Sequence, residues 1–131
     1  MSENVPKDLL YSKTHAWVRT LGQGSVEVGI TDHAQSSLGD LVSTELPAVG
    51  VTVQAGIKSA VVESNKAASD VESPVSGRVT ANNASLGGTP ELVNDDPYVK
   101  GWLYRVSLSE TPCDLLSPEQ YAKLLAQSPG E

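Results

Sequence analysis

Val61-Val62-Glu63-Ser64-Asn65-Lys66-Ala67-Ala68-Ser69-Asp70-Val71-Glu72-Ser73-Pro74 is the stretch on which the reading of this chain turns. Apolar residues close in from the N-terminal side, Val71 and Val75 resume the pattern on the other, and the residues between are small or polar. That layout is the mark of two strands joined by a tight turn. Asparagine tolerates positive φ, so the spacing predicts a reversal at Asn65-Lys66, with Ala67 and Ala68 leaving the Lys66 amine unobstructed. A flexible four-carbon stem on a rigid turn, with no apolar surround to activate the amine, suits covalent loading better than catalysis. A solvated turn lysine would share this local pattern, so the rest of the chain has to separate the two.

An internal repeat flanks the hairpin. Glu45-Leu46-Pro47-Ala48-Val49-Gly50 and Glu72-Ser73-Pro74-Val75-Ser76-Gly77 share Glu-x-Pro-x-x-Gly, and both run on into strand formers, Val51-Thr52-Val53 and Val79-Thr80. Two copies are too few for a solenoid. They suit a small sheet structure with quasi-two-fold symmetry, each Pro-x-x-Gly being a turn whose glycine supplies positive φ. The repeat predicts that the lysine hairpin and residues 41–53 lie in facing halves of one flattened barrel.

Elsewhere, residues 11–30 read as strands around Gly22-Gln23-Gly24-Ser25, with Val26, Val28 and Ile30 alternating on one face. This is no phosphate loop, because Glu27 stands where the third glycine of G-x-G-x-x-G would be. Thr31 can cap a short helix through Leu38, ended by Gly39. Thr89-Pro90-Glu91 opens another, with Pro90 at the first helical position, and residues 102–108 alternate as a closing strand. A last helix is predicted over about 118–126, with Ser117 and Gln120 as a capping box and Tyr121, Leu124 and Leu125 packing on the barrel. Residues 127–131 should fray.

The chain has 131 residues, the size of one domain spanning 1–131, with a formal net charge of −7. That charge argues against nucleic-acid binding, and no apolar run is long enough to cross a membrane. The lone Cys113 allows no internal disulfide and reads as a structural thiol. Met1-Ser2-Glu3-Asn4-Val5-Pro6-Lys7-Asp8 lacks a signal-peptide core and an Arg-rich transit pattern, so a cytoplasmic, bacterial protein is expected. His15 and His33 pair with no Cys, Glu or Asp at a metal-ligand spacing, so no metal is expected. There is no G-x-S-x-G, and Asn94-Asp95-Asp96 lacks the spacing of a calcium loop.

Glu63-Ser64-x-Lys66-Ala67-x-Ser69-Asp70-Val71-x-Ser73-Pro74-x-Ser76-Gly77 resembles the lipoyl-lysine motif of the glycine cleavage system H-protein family. Three further segments strengthen the resemblance: Thr14-His15-x-Trp17-Val18; Val28-Gly29-Ile30-Thr31-Asp32-His33-Ala34-Gln35 with Leu38-Gly39-Asp40; and Pro90-Glu91-Leu92-Val93-Asn94-Asp95-Asp96-Pro97-Tyr98 with Gly101-Trp102. Together they run in the family's order from about Tyr11 to Val106.

The resemblance implies a mainly β fold, a flattened barrel-sandwich hybrid of the lipoyl/biotinyl type with short helices, a core over about 11–108 and the C-terminal helix. It implies a non-catalytic, monomeric carrier with lipoate amide-linked to Lys66. Its partners would be a pyridoxal-phosphate-dependent glycine decarboxylase (P protein), a folate-dependent aminomethyltransferase (T protein), a dihydrolipoyl dehydrogenase (L protein) and a lipoate-attachment enzyme. That last enzyme is expected to read the hairpin's shape, with Glu63 and Gly77 as supports. Thr14 and Asp70 match positions expected to shelter the loaded arm.

The chain departs from the family pattern at three places. Ala16 stands where the residue after the histidine is typically Glu, Asn65 replaces an apolar residue, and Ser43-Thr44 occupies a usually more hydrophobic stretch. Restoring Glu at position 16 is expected to prolong retention of the loaded arm. Three alternatives remain: a biotin carrier, which usually brackets its lysine with methionines where this chain has Asn65 and Ala67; a linker-borne lipoyl domain of a 2-oxo-acid dehydrogenase; and a divergent H-like protein for lipoate distribution or regulation.

Overall fold

The computed structural model describes residues 5–112 and 115–126. Its strands are β1 (Leu10–Tyr11), β2 (Ala16–Gly22), β3 (Ser25–Ile30), β4 (Leu41–Glu45), β5 (Thr52–Val53), β6 (Lys58–Ser64), β7 (Ala68–Glu72), β8 (Gly77–Asn82) and β9 (Tyr104–Leu108). They form an antiparallel six-stranded sheet, β1-β2-β3-β9-β8-β5, and an antiparallel three-stranded sheet, β4-β6-β7. Helices α1 (Asp32–Leu38), α2 (Leu92–Asp95) and α3 (Pro118–Ala126) accompany them. The fold is therefore mainly β, as expected, built as two facing sheets rather than a closed barrel.

Strand alternation makes the interior. Val18, Val26, Val28, Val79 and Val106 from the larger sheet meet Leu41, Ala60, Val62 and Val71 from the smaller one in a single buried cluster. On the other face of β2, Trp17 is fully buried with Leu9, Tyr11, Tyr98 and Tyr121 in a second cluster, against which Leu124 and Leu125 of α3 pack. Gly29 is needed there: a Cβ would lie 2.5 Å from the Trp17 indole. Glu27 also faces that side. It is buried between Arg19 (2.9 Å) and Arg105 (Nε 3.0 Å, Nη2 2.9 Å), which pair with it in register across β2, β3 and β9.

The repeat is placed differently from its expectation. Residues 41–45 do not face the lysine hairpin; β4 pairs edge to edge with β6, with Thr44 opposite Val62, and only β5 crosses to the other sheet. Adjacent antiparallel strand formers in one sheet satisfy their backbone bonds sideways, and the internal symmetry of turns does not dictate that choice of neighbour. Gly50 has the expected positive φ (98°), but Gly77 does not. Gly77 needs its missing side chain for close approach, since a Cβ would collide with the Ser107 carbonyl oxygen and sit 2.6 Å from Val106 Cγ1.

The helix ends follow their sequence signals more closely. Thr31 Oγ1 accepts the Ala34 amide at 3.2 Å, and Gly39 at φ 86° closes α1 with its N–H on the Gln35 carbonyl at 3.0 Å. Ser117 and Gln120 form the reciprocal capping box at 3.2 and 2.9 Å. Pro90 is not the first helical position: α2 starts at Leu92 as a single turn with Glu91 at its N-cap. The closing strand starts at Tyr104 instead of residue 102, with Trp102 stacked under the Arg105 guanidinium at 4.2 Å. Cys113 and residues 127–131 lie outside the described residues. Among the described residues no helix is long and apolar enough to cross a membrane.

Candidate functional site

The hairpin is held in register by Val61 opposite Asp70, Val62 opposite Ser69 and Glu63 opposite Ala68, leaving Asn65 and Lys66 exposed at its tip. Two-residue hairpin loops usually rely on positive φ. Neither Asn65 nor Lys66 has it, so the expected role of Asn65 is not used. Ser64 supplies the alternative. Its hydroxyl oxygen accepts the amides of Lys66 (3.1 Å) and Ala67 (3.2 Å), while the Ser64 amide donates to the Ala67 carbonyl at 2.8 Å. A local side-chain acceptor thus substitutes for the strained backbone conformation.

The stem of Lys66 lies across Gly39, where α1 ends. Beside it opens a groove of about 460 Å³, lined by Thr14 and His15 from the loop before β2, by His33, Ala34, Ser37 and Leu38 of α1, and by Ser69 of β7. Among the described residues its lining combines two apolar side chains, three hydroxyls and two imidazoles, with no carboxylate. An arm carried by Lys66 would find hydrocarbon contact along Ala34 and Leu38 and hydrogen-bonding groups from Thr14, Ser37 and Ser69.

His15 is the most constrained of these residues. It holds φ 71°, its carbonyl accepts the Thr31 amide at 3.0 Å, and its Nδ1 lies 2.7 Å from the Tyr121 hydroxyl, itself 2.8 Å from Thr31 Oγ1. The His33 ring centroid is 4.7 Å away. Burial first, and then the charge of His33, hold the His15 pKa below its ordinary value of 6.5. A positive φ on a residue with this many partners is held by its surroundings rather than by its own preference.

The residues singled out from sequence are not all gathered at this groove. Thr14 lines it, with Oγ1 3.0 Å from the Ser12 hydroxyl. Asp70 is exposed and lies on the outer face of the smaller sheet, in one row with Val61 and Glu45, because Val71 next to it points inward. Ser69 occupies the groove instead. Glu63 shares that outer face with Ser43 and Ala68, exposed beside the hairpin tip. Gly77 is buried in β8, in the other sheet, where packing accounts for it. Ala16 is 1% exposed and lies on the core-facing side of β2, as Val18 does; its amide donates to Ser12 Oγ at 3.1 Å.

Sequence reasoning gave Ser64, Ser69 and Ser37 no role of their own and did not foresee the His15–Tyr121–Thr31 chain. Ser64 carried a usable signal, a serine two residues ahead of a turn lysine, whereas the contact of Tyr121 with His15 joins residues far apart in sequence and has no local signature.

The model of the glycine cleavage H-protein family matches residues 9–128. A glycine cleavage system H protein of Rubrobacter xylanophilus is 58% identical over 123 residues, covering 94% of this chain and 96% of that protein. One from Xanthomonas campestris pv. campestris strain B100 is 57% identical over 127 residues, covering 95% and 96%. The crystal structure of a glycine cleavage system H protein from Mycobacterium marinum superimposes with a TM-score of 0.87 at 38% identity, covering 93% of this chain and 99% of that one.

Proposed function

Because this chain belongs to the glycine cleavage H-protein family, we propose that it is a non-catalytic carrier, one domain over residues 1–131, with lipoate amide-linked to Lys66. The observation that carries the reading is the exposed lysine at a serine-braced hairpin tip, next to a groove of arm-accepting character. Bound lipoate would supply a disulfide that takes up the aminomethyl group of glycine and is returned as a dithiol for reoxidation.

The chain's own residues do the presenting. Ser64 fixes the tip so that an attachment enzyme meets one amine in one orientation, with Glu63 exposed beside it on the outer face. Lys58, Lys100 and Lys123 stand on no such turn. Tethering replaces free diffusion by a high local concentration at each partner, and those partners are the decarboxylase, the aminomethyltransferase and the dihydrolipoyl dehydrogenase. Thr14, Ser37 and Ser69 offer hydroxyls to the arm at rest, and Leu38 and Ala34 exclude water from its hydrocarbon part. The carrier works as a monomer in the cytoplasm.

A second reading is favoured by one observation: among the described residues no carboxylate lines the groove, and Ala16 is buried where the family usually has Glu. On that reading the chain is a divergent H-like protein that distributes lipoate. Reconstitution with the three partner enzymes separates the two. Glycine-dependent reduction of NAD that requires this protein supports the carrier of the glycine cleavage system; full lipoylation without any such turnover supports the second reading.

A further inference from the structure

We propose that Gly39, clamped by Asn94, is a positioning residue for Lys66: a bare stretch of backbone across which the lysine stem lies, directing an attached arm into the groove rather than into solvent. The proposal rests on the reading of Lys66 as the attachment point.

Gly39 is held at φ 86° and ψ −166°, a region open essentially to glycine alone. Ending α1 would account for the backbone angle, but it would not require empty space above it. That space is filled by the lysine: a Cβ at position 39 would lie 3.2 Å from Lys66 Cε and 3.7 Å from Nζ. The nearer distance is tighter than ordinary van der Waals contact, so any side chain here pushes the stem aside.

The platform is also fixed from below. Asn94 Nδ2 donates to the Gly39 carbonyl at 2.9 Å and to Gln35 Oε1 at 2.9 Å, while its Oδ1 accepts the Leu41 amide at 2.9 Å. One side chain at the end of α2 therefore holds the backbone on both sides of the Gly39-Asp40 link. Ser37 and Leu38, immediately before Gly39, line the groove, so platform and groove form one continuous surface.

The test compares amide spectra of the ¹⁵N-labelled chain before and after lipoylation. In the parent, acylation should shift the amides of Leu38, Gly39 and Ser69. In Asn94→Ala those shifts should fall at least threefold, with acylation of the Lys66 peptide verified by mass. Asn94→Asp, which keeps the acceptor for Leu41 and loses both donors, should fall between. In the unmodified parent a nuclear Overhauser contact between Lys66 Hε and Gly39 Hα is expected. Absence of that contact, or undiminished shifts in Asn94→Ala, overturns the platform. A Lys66 peptide without an acyl group overturns the attachment reading instead, and the contact in the unmodified chain still decides the platform.

Discussion

Replacing Ser64 by Ala removes one oxygen and leaves two amides at the hairpin tip without their acceptor. The Lys66 and Ala67 amides lose bonds of 3.1 and 3.2 Å, whereas the main-chain bond from Ser64 to the Ala67 carbonyl survives. Both residues are exposed, so water can take over part of the work, and the loss is the net rather than the gross value of a hydrogen bond. We expect a total of about 1–2 kcal/mol. For a chain of this size that is a fall in Tm of roughly 4–7 °C by thermal denaturation. The turn should also lose definition, so acylation of Lys66 by the attachment enzyme should slow severalfold at a temperature where the variant is folded. Ser64→Thr keeps the oxygen and should recover most of both effects. A Tm within about 1 °C of the parent, together with unchanged acylation kinetics, would refute the claim that this hydroxyl shapes the tip.

Gly77→Ala should lower stability by about 1–3 kcal/mol or more through overpacking against Ser107, while folded molecules acylate at the parental rate; slowed acylation with intact stability would show instead that the attachment enzyme reads Gly77. Ala16→Glu places a carboxylate where the methyl is 1% exposed, so a loss of about 1–3 kcal/mol is expected in place of the longer arm retention suggested by sequence; an unchanged denaturation midpoint would mean that the carboxylate reaches solvent or the groove. His15 has a folded pKa below 6.5, so the unfolded chain binds more protons between the two values. Its share of stability is complete above about pH 6.5 and is lost as pH falls towards the folded pKa, so urea midpoints should drop from pH 7.5 to pH 5 and drop less in His15→Gln; parallel pH profiles would contradict this.

Period-two alternation placed the strands of residues 11–30 and the lysine hairpin, and capping chemistry placed α1 and α3, because those signals are local and act on the backbone where they occur. Partnership between strands was less legible. The repeat suggested facing halves, yet β4 sits beside β6, since turn chemistry sets where a chain reverses and not which edge the next strand joins. At the site, the hairpin that carries Lys66 was legible from its surroundings, and Thr14, named from resemblance, lines the groove, but motif position did not reveal on which face Asp70 would fall. A strand's alternation fixes that, and Val71 turned inward carries Asp70 outward. Asn94, which sequence placed in a family-like segment without a role of its own, ties Gly39 and Leu41 across some fifty residues of chain through contacts that only folding creates.

Peptide mass mapping of the chain, purified after expression with a lipoate-attachment enzyme and lipoate, tests the central claim most directly. A lipoyl mass increment confined to the peptide containing Lys66, and absent from Lys66→Arg, is expected. A biotinyl increment, a lipoyl group on Lys58, Lys100 or Lys123, or an unmodified Lys66 under conditions that load a related H protein to completion would contradict it.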